Sequence, residues 1–65
     1  MNLEKIEGNF IVLENEGASY NEVVEIKINN KKKLGQVVEI NKNKVIVQVL
    51  GDVQGFSLNN ASVRF

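Results

Sequence analysis

Four glutamates, Glu14, Glu16, Glu22 and Glu25, are the residues best suited by type to act as a general acid and base. That chemistry needs two carboxylates held in environments that push their proton affinities apart. Each of these four instead lies beside a turn-forming stretch or on the polar side of an alternating segment, the placement of an ordinary solvated carboxylate. Histidine and cysteine are absent, which removes the imidazole base, the thiol nucleophile and the nitrogen and sulfur metal ligands. Neither a Gly-x-x-x-x-Gly-Lys-Ser/Thr phosphate loop nor a Gly-x-Gly-x-x-Gly turn occurs. The chain reads as a non-enzyme on its own, with no catalytic residue, no cofactor and no metal.

Five lysines carry the other candidate chemistry. Lys31, Lys32 and Lys33, with Lys42 and Lys44 in the following turn, would place five ammonium groups near adjacent hairpin ends. Such a patch suits phosphates or an acidic protein surface. Barrels that bind nucleic acid usually add exposed aromatics on which bases stack. Here the aromatics are Phe10, Tyr20, Phe56 and Phe65, of which Phe10 and Phe65 read as core. Lysine-rich hairpin tips also serve simply to keep strand ends soluble. The expectation is a basic partner patch without nucleic acid; a free-standing barrel binding RNA or a protein through these tips is the alternative.

The elements that would position these residues are strands. Phe10-Ile11-Val12-Leu13 is a continuous apolar run between Gly8-Asn9 and Asn15-Glu16-Gly17, which predicts a strand covered on both faces. A shorter strand is expected around Leu3 to Ile6. Glu22 to Ile28 alternates, placing Val24, Ile26 and Ile28 on one face and Glu25 and Lys27 on the other. Asn29 to Lys33 then reads as a turn, and the next strand puts Leu34, Val38 and Ile40 inward. Asn41-Lys42-Asn43 predicts a tight connection, because asparagine tolerates the left-handed conformation of short hairpins. Val45, Val47 and Val49 face the core beyond it, and Ser62-Val63-Arg64-Phe65 begins a last strand. These segments predict an all-β fold, a small closed six-stranded antiparallel barrel, because closure pairs the edges that so short a chain cannot cover.

On that assignment Val23, Val37, Ile46 and Leu50 fall on the outward face. Apolar side chains on both faces imply a second contact, since a soluble monomer rarely leaves such a patch bare. These four residues are therefore the expected subunit interface, a wall that docks sideways against another barrel.

A chain of 65 residues makes one small domain, residues 1–65, with a thin core. It lacks the disulfides and zinc ligands that often staple such scaffolds. The run from Met1 to Gly8 is mixed in charge, unlike a signal peptide, and no stretch suits a bilayer. A cytoplasmic protein without membrane insertion is expected, with Asn60-Ala61-Ser62 an unused glycosylation sequon. The formal net charge is zero, yet up to Glu25 one lysine stands against six glutamates, and from Ile26 onward seven bases stand against two acids. The halves are expected to interleave and pair across strands rather than form a dipole. Ending on an alternating Val63-Arg64-Phe65, the chain also reads as cut from a longer one.

Four segments carry a family resemblance: Gly8 to Glu14, Tyr20 to Ile26, Leu34 to Ile40, and Val45 to Val49. In order and spacing they resemble the N-terminal barrel of the B subunit of V-type and archaeal-type rotary ATPases. The strongest part is Gly35-Gln36-Val37-Val38-Glu39-Ile40 leading into Val47-Gln48-Val49, followed by Gly55 and the closing Ser62-Val63-Arg64-Phe65. Asn9 stands where the family commonly has proline, and Leu50 where phenylalanine is usual. The resemblance implies a structural domain of the regulatory B subunit. Its barrel would join those of the catalytic A subunits in an alternating hexameric crown, would contact the peripheral stalk and would support ATP-coupled ion transport. Nucleotide binding would belong to a following domain, and the localisation implied is the soluble, cytoplasmic headpiece of a membrane-associated complex.

Overall fold

The computed structural model describes residues 2–65, with side chains from Leu3 onward. Met1, the first residue of the expected 1–65 domain, lies outside the described residues. The elements are β1 (Asn2–Glu7), β2 (Phe10–Glu14), β3 (Val23–Ile28), β4 (Lys31–Asn41), β5 (Lys44–Leu50) and β6 (Ala61–Arg64). All ladders are antiparallel, and the spatial order is β1-β2-β5-β4-β3-β6.

Three hairpins share one turn design. Gly8-Asn9, Asn29-Asn30 and Lys42-Asn43 are two-residue connections between the paired ends Glu7 and Phe10, Ile28 and Lys31, and Asn41 and Lys44. In each, the first residue has a positive φ: 59° at Gly8, 53° at Asn29 and 59° at Lys42. Such turns match the right-handed twist of the flanking strands. In the last hairpin the left-handed residue is Lys42 rather than one of its neighbouring asparagines. The lysine run is also strand rather than turn, since β4 begins at Lys31.

Two longer connections carry the chain across the sheet. Residues 15–22 leave β2 and reach β3 past β5 and β4, and the Tyr20 hydroxyl donates to the Ile40 carbonyl at 3.1 Å to hold them there. Residues 51–60 run from β5 to β6, gathered by Asn60. Its Oδ1 accepts from the Ser57 N–H at 2.9 Å, its Nδ2 donates to the Gly55 carbonyl at 2.9 Å, and its own carbonyl accepts from the Asn29 N–H at 3.3 Å.

The core is one layer on the concave side: Ile11 and Leu13 from β2, Val24, Ile26 and Ile28 from β3, Val37 from β4, Val45, Val47 and Val49 from β5, and Val63 from β6. Leu3, Ile6, Ile40, Val53, Phe56 and Phe65 pack partly buried around it. The alternation expected in β3 and β5 holds. In β4 it does not: Leu34 and Val38, expected inward, are exposed, while Val37, expected outward, is fully buried. A register shift between Val37 and Glu39 inserts an extra residue, so Gly35 and Val37 point inward before it and Ile40 after it. In β2 only Ile11 and Leu13 are buried; Phe10, expected in the core, lies on the outer face.

The sheet is strongly curled but open. β1 and β6 end the strand order, and no ladder joins them among the described residues, so the expected closed barrel is in fact a half-barrel. β6 has only 4 residues, and β1 carries a register shift between Leu3 and Lys5. Neither offers the long regular edge that closure needs.

Candidate functional site

The carboxylates do not converge. Glu22 accepts from the Ser19 N–H at 3.0 Å and so shapes its own loop, while Glu25 faces Lys32 with 4.0 Å between Oε2 and Nζ. Glu14 lies opposite Lys44 at the far end of β2, and Glu16 is exposed in the turn that follows. Among the described residues no three carboxylates are grouped as metal ligands would be.

The lysines do not form the single patch expected from their spacing. Consecutive hairpins lie at opposite ends of the strand they share, and β4 is 11 residues long. At roughly 3.3 Å per residue, Lys33 and the Asn41–Lys44 end of the strand are separated by at most about 26 Å, so Lys31, Lys32 and Lys33 lie at the other end of β4 from Lys42 and Lys44. Alternation divides the first group again: Lys32 reaches Glu25 on the outer face, whereas Lys31 and Lys33 line a hollow with Ile28, Asp52, Gln54 and Phe56. Lys44 is engaged with Glu4, Nζ to Oε1 being 3.1 Å.

The outer wall does gather apolar residues. Val23 is 56% exposed, Leu50 is 50% exposed and Ile46 is half-buried, all on the convex side as expected. Val37 must be removed from that set because it is a core residue. Four residues missed by strict alternation or by reading β2 as covered replace it: Phe10, Val12, Leu34 and Val38. They fall into two patches. In the first, Phe10, Val12, Val38 and Ile46 floor a shallow groove edged by Lys5, Glu7 and Glu39. In the second, Leu34 and Leu50 are direct cross-strand partners, and Val23, Glu25 and Arg64 continue the surface beside Leu34. The Gln36–Gln48 pair separates them.

Residues 4–65 of this sequence match the ATP synthase alpha/beta family, beta-barrel domain. The chain belongs to that family. Similar proteins include the V-type ATP synthase beta chain 2 of Clostridium tetani, 42% identical over 65 residues, and the B subunit of the A-type ATP synthase of Staphylothermus marinus, 35% identical over 65 residues. Each alignment covers 97% of this chain and 14% of the relative. The resemblance to the N-terminal barrel of these B subunits is thus borne out, and the chain spans about a seventh of the length of the curated relatives it matches.

For an ATP synthase β-barrel domain, the convex wall is the surface with the most to offer a neighbour. Its apolar side chains are fixed to a ladder rather than to loops, so burying them would order little additional chain. Its ion pairs are solvent-facing, and two of them, Glu4–Lys44 and Glu25–Lys32, join the acidic half of the sequence to the basic half. The halves interleave as expected. No helix among the described residues is long and apolar enough to cross a membrane.

Proposed function

We propose that this chain is a structural assembly domain of the B subunit of a V-type or archaeal-type rotary ATPase or ATP synthase. In this reading its barrel alternates with those of A-type catalytic subunits in a hexameric crown, contacts the peripheral stalk and performs no chemistry. Residues 1–65 form the N-terminal domain, a nucleotide-binding domain follows in the parent protein, and the whole supports ATP-coupled ion transport from a soluble, cytoplasmic headpiece. The observation that carries the reading is the convex apolar wall on a chain of this family. A ring needs lateral contacts that persist while the domains below change shape, and a densely hydrogen-bonded sheet is stiff enough to provide them.

The test is analytical sedimentation of the purified chain mixed with an A-type catalytic subunit. Ile46→Lys should weaken the complex by at least about tenfold, since a desolvated ammonium replaces an apolar contact. Its circular dichroism should stay that of the parent. Loss of the fold on this change would place Ile46 in the core and remove it from the interface. Absence of binding, together with a salt-sensitive affinity for single-stranded RNA, would replace the assembly reading altogether.

A further inference from the structure

The hollow between the hairpin of β3 and β4 and the 51–60 connection has a charge that the fold does not require. Lys31 and Lys33 stand directly opposite Ile28 and Ile26 in the ladder, and both isoleucines belong to the core. Cross-strand partners share a face, so the two lysines sit on the concave side, where β3 and β5 place only valine and isoleucine. Lys33 is half-buried, and among the described residues neither lysine enters an ion pair. Asp52 lines the same hollow, but its Oδ1 accepts from the Gln54 N–H at 3.1 Å and so shapes its own loop. Two ammonium groups against one carboxylate leave the hollow with an excess of positive charge.

Its walls are held in place. The Asn60 side chain fixes the Gly55 carbonyl at 2.9 Å, and the Asn60 carbonyl accepts from the Asn29 N–H at 3.3 Å, so loop and hairpin are tied together across the opening. Ile28 and Phe56 supply apolar walls to a volume of about 330 Å³, the size of a small-molecule site with a few convergent polar groups. We propose that this hollow binds a small phosphate monoester, its phosphate bridging Lys31 and Lys33 and its organic group lying against Ile28 and Phe56. Residues two apart on a strand are separated by about 7 Å, a gap that two flexible lysine stems close around one phosphate. The phosphate oxygens would accept charge-assisted hydrogen bonds from both ammonium groups and relieve their mutual repulsion. The site lies on the concave side at one end of β4, away from the convex wall, so it is independent of the assembly reading.

Amide chemical shifts of the purified chain, followed as phenyl phosphate is added at constant ionic strength, test this. Lys31, Lys33 and Gly55 should move along one saturable curve. Inorganic phosphate should saturate the same amides at least about threefold more weakly, because it brings no apolar group to Ile28 and Phe56. Lys31→Gln and Lys33→Gln should each weaken phenyl phosphate by about tenfold. Lys27→Gln, which removes the same charge from the outer face of β3, should leave the affinity within about twofold. The same spectra show whether each variant is folded. Absence of saturation overturns the site, since lysines that merely shield the end of the core would give none. Equal weakening by Lys27→Gln, or inorganic phosphate binding as tightly as phenyl phosphate, also overturns it. Tighter binding of a polyglutamate peptide at these amides would do the same, by assigning the two lysines to the carboxylates of a protein partner.

Discussion

At the level of single residues, Gly35 stands where the packing leaves no room for a side chain. It points inward from β4, and a Cβ there would lie 2.6 Å from Val47 Cγ1, 2.8 Å from Ile26 Cδ1 and 3.2 Å from the Gln48 carbonyl oxygen. The requirement is space, because the two flanking strands close their side chains over the place where β4 has none. Gly35→Ala should cost about 1–3 kcal/mol by overpacking, and Gly35→Val should cost more, read as midpoints of urea unfolding. A neutral Gly35→Ala would mean that Val47 and Ile26 have freedom to retreat. Asn60 is the corresponding polar position, its amide binding both Ser57 and Gly55. Asn60→Ala should lower stability by about 0.5–1.5 kcal/mol and speed amide exchange at Ser57 first. An unchanged exchange rate at Ser57 would show that the loop is held from elsewhere.

At the level of elements, β4 decides which apolar residues are core and which are available outside. The extra residue between Val37 and Glu39 makes neighbouring valines unlike: Val37 is fully buried against Val47, while Val38 lies on the convex wall. Val37→Ser should unfold the domain or cost about 2 kcal/mol or more, whereas Val38→Ser should stay within about 0.5 kcal/mol of the parent. Equal losses at the two positions would place both in the core. This strand is also where sequence and structure part. β3 and β5 are legible as written, because an uninterrupted period of two assigns every side chain to a face. β4 mixes Leu34, Val37, Val38 and Ile40 in a pattern that two registers satisfy, and the choice is made by Val37, whose N–H donates to the Glu22 carbonyl and whose carbonyl accepts from the Asn21 N–H. A bulge fixed by such a distant loop leaves no local signature. Phe10 is obscured for another reason, since a four-residue apolar run reads as fully covered whether or not anything covers its outer face. The lysines show a third limit: hairpins adjacent in sequence lie at opposite ends of a long strand, so nearness along the chain says little about nearness in space.

At the level of the whole molecule, an open order of six strands should make stability uneven from the middle outward. β5 and β4 are each paired on both sides and supply Val37, Val45, Val47 and Val49 to the core, whereas β1 and β6 each have one partner among the described residues. A domain this small is expected to have only about 3–5 kcal/mol of core stabilisation, so edge strands can open well below the cost of global unfolding. Amide exchange should therefore be slowest in β5 and the middle of β4, intermediate in β2 and β3, and fastest in β1 and β6. The charge distribution should not alter that order, because the Glu4–Lys44 and Glu25–Lys32 pairs are largely solvent-facing and worth about 0–1 kcal/mol each. Molar salt, which screens such pairs, should leave the gradient intact. Uniform protection across all six strands would contradict the open order and indicate that β1 and β6 pair in solution, because only closure would give the two end strands a second neighbour.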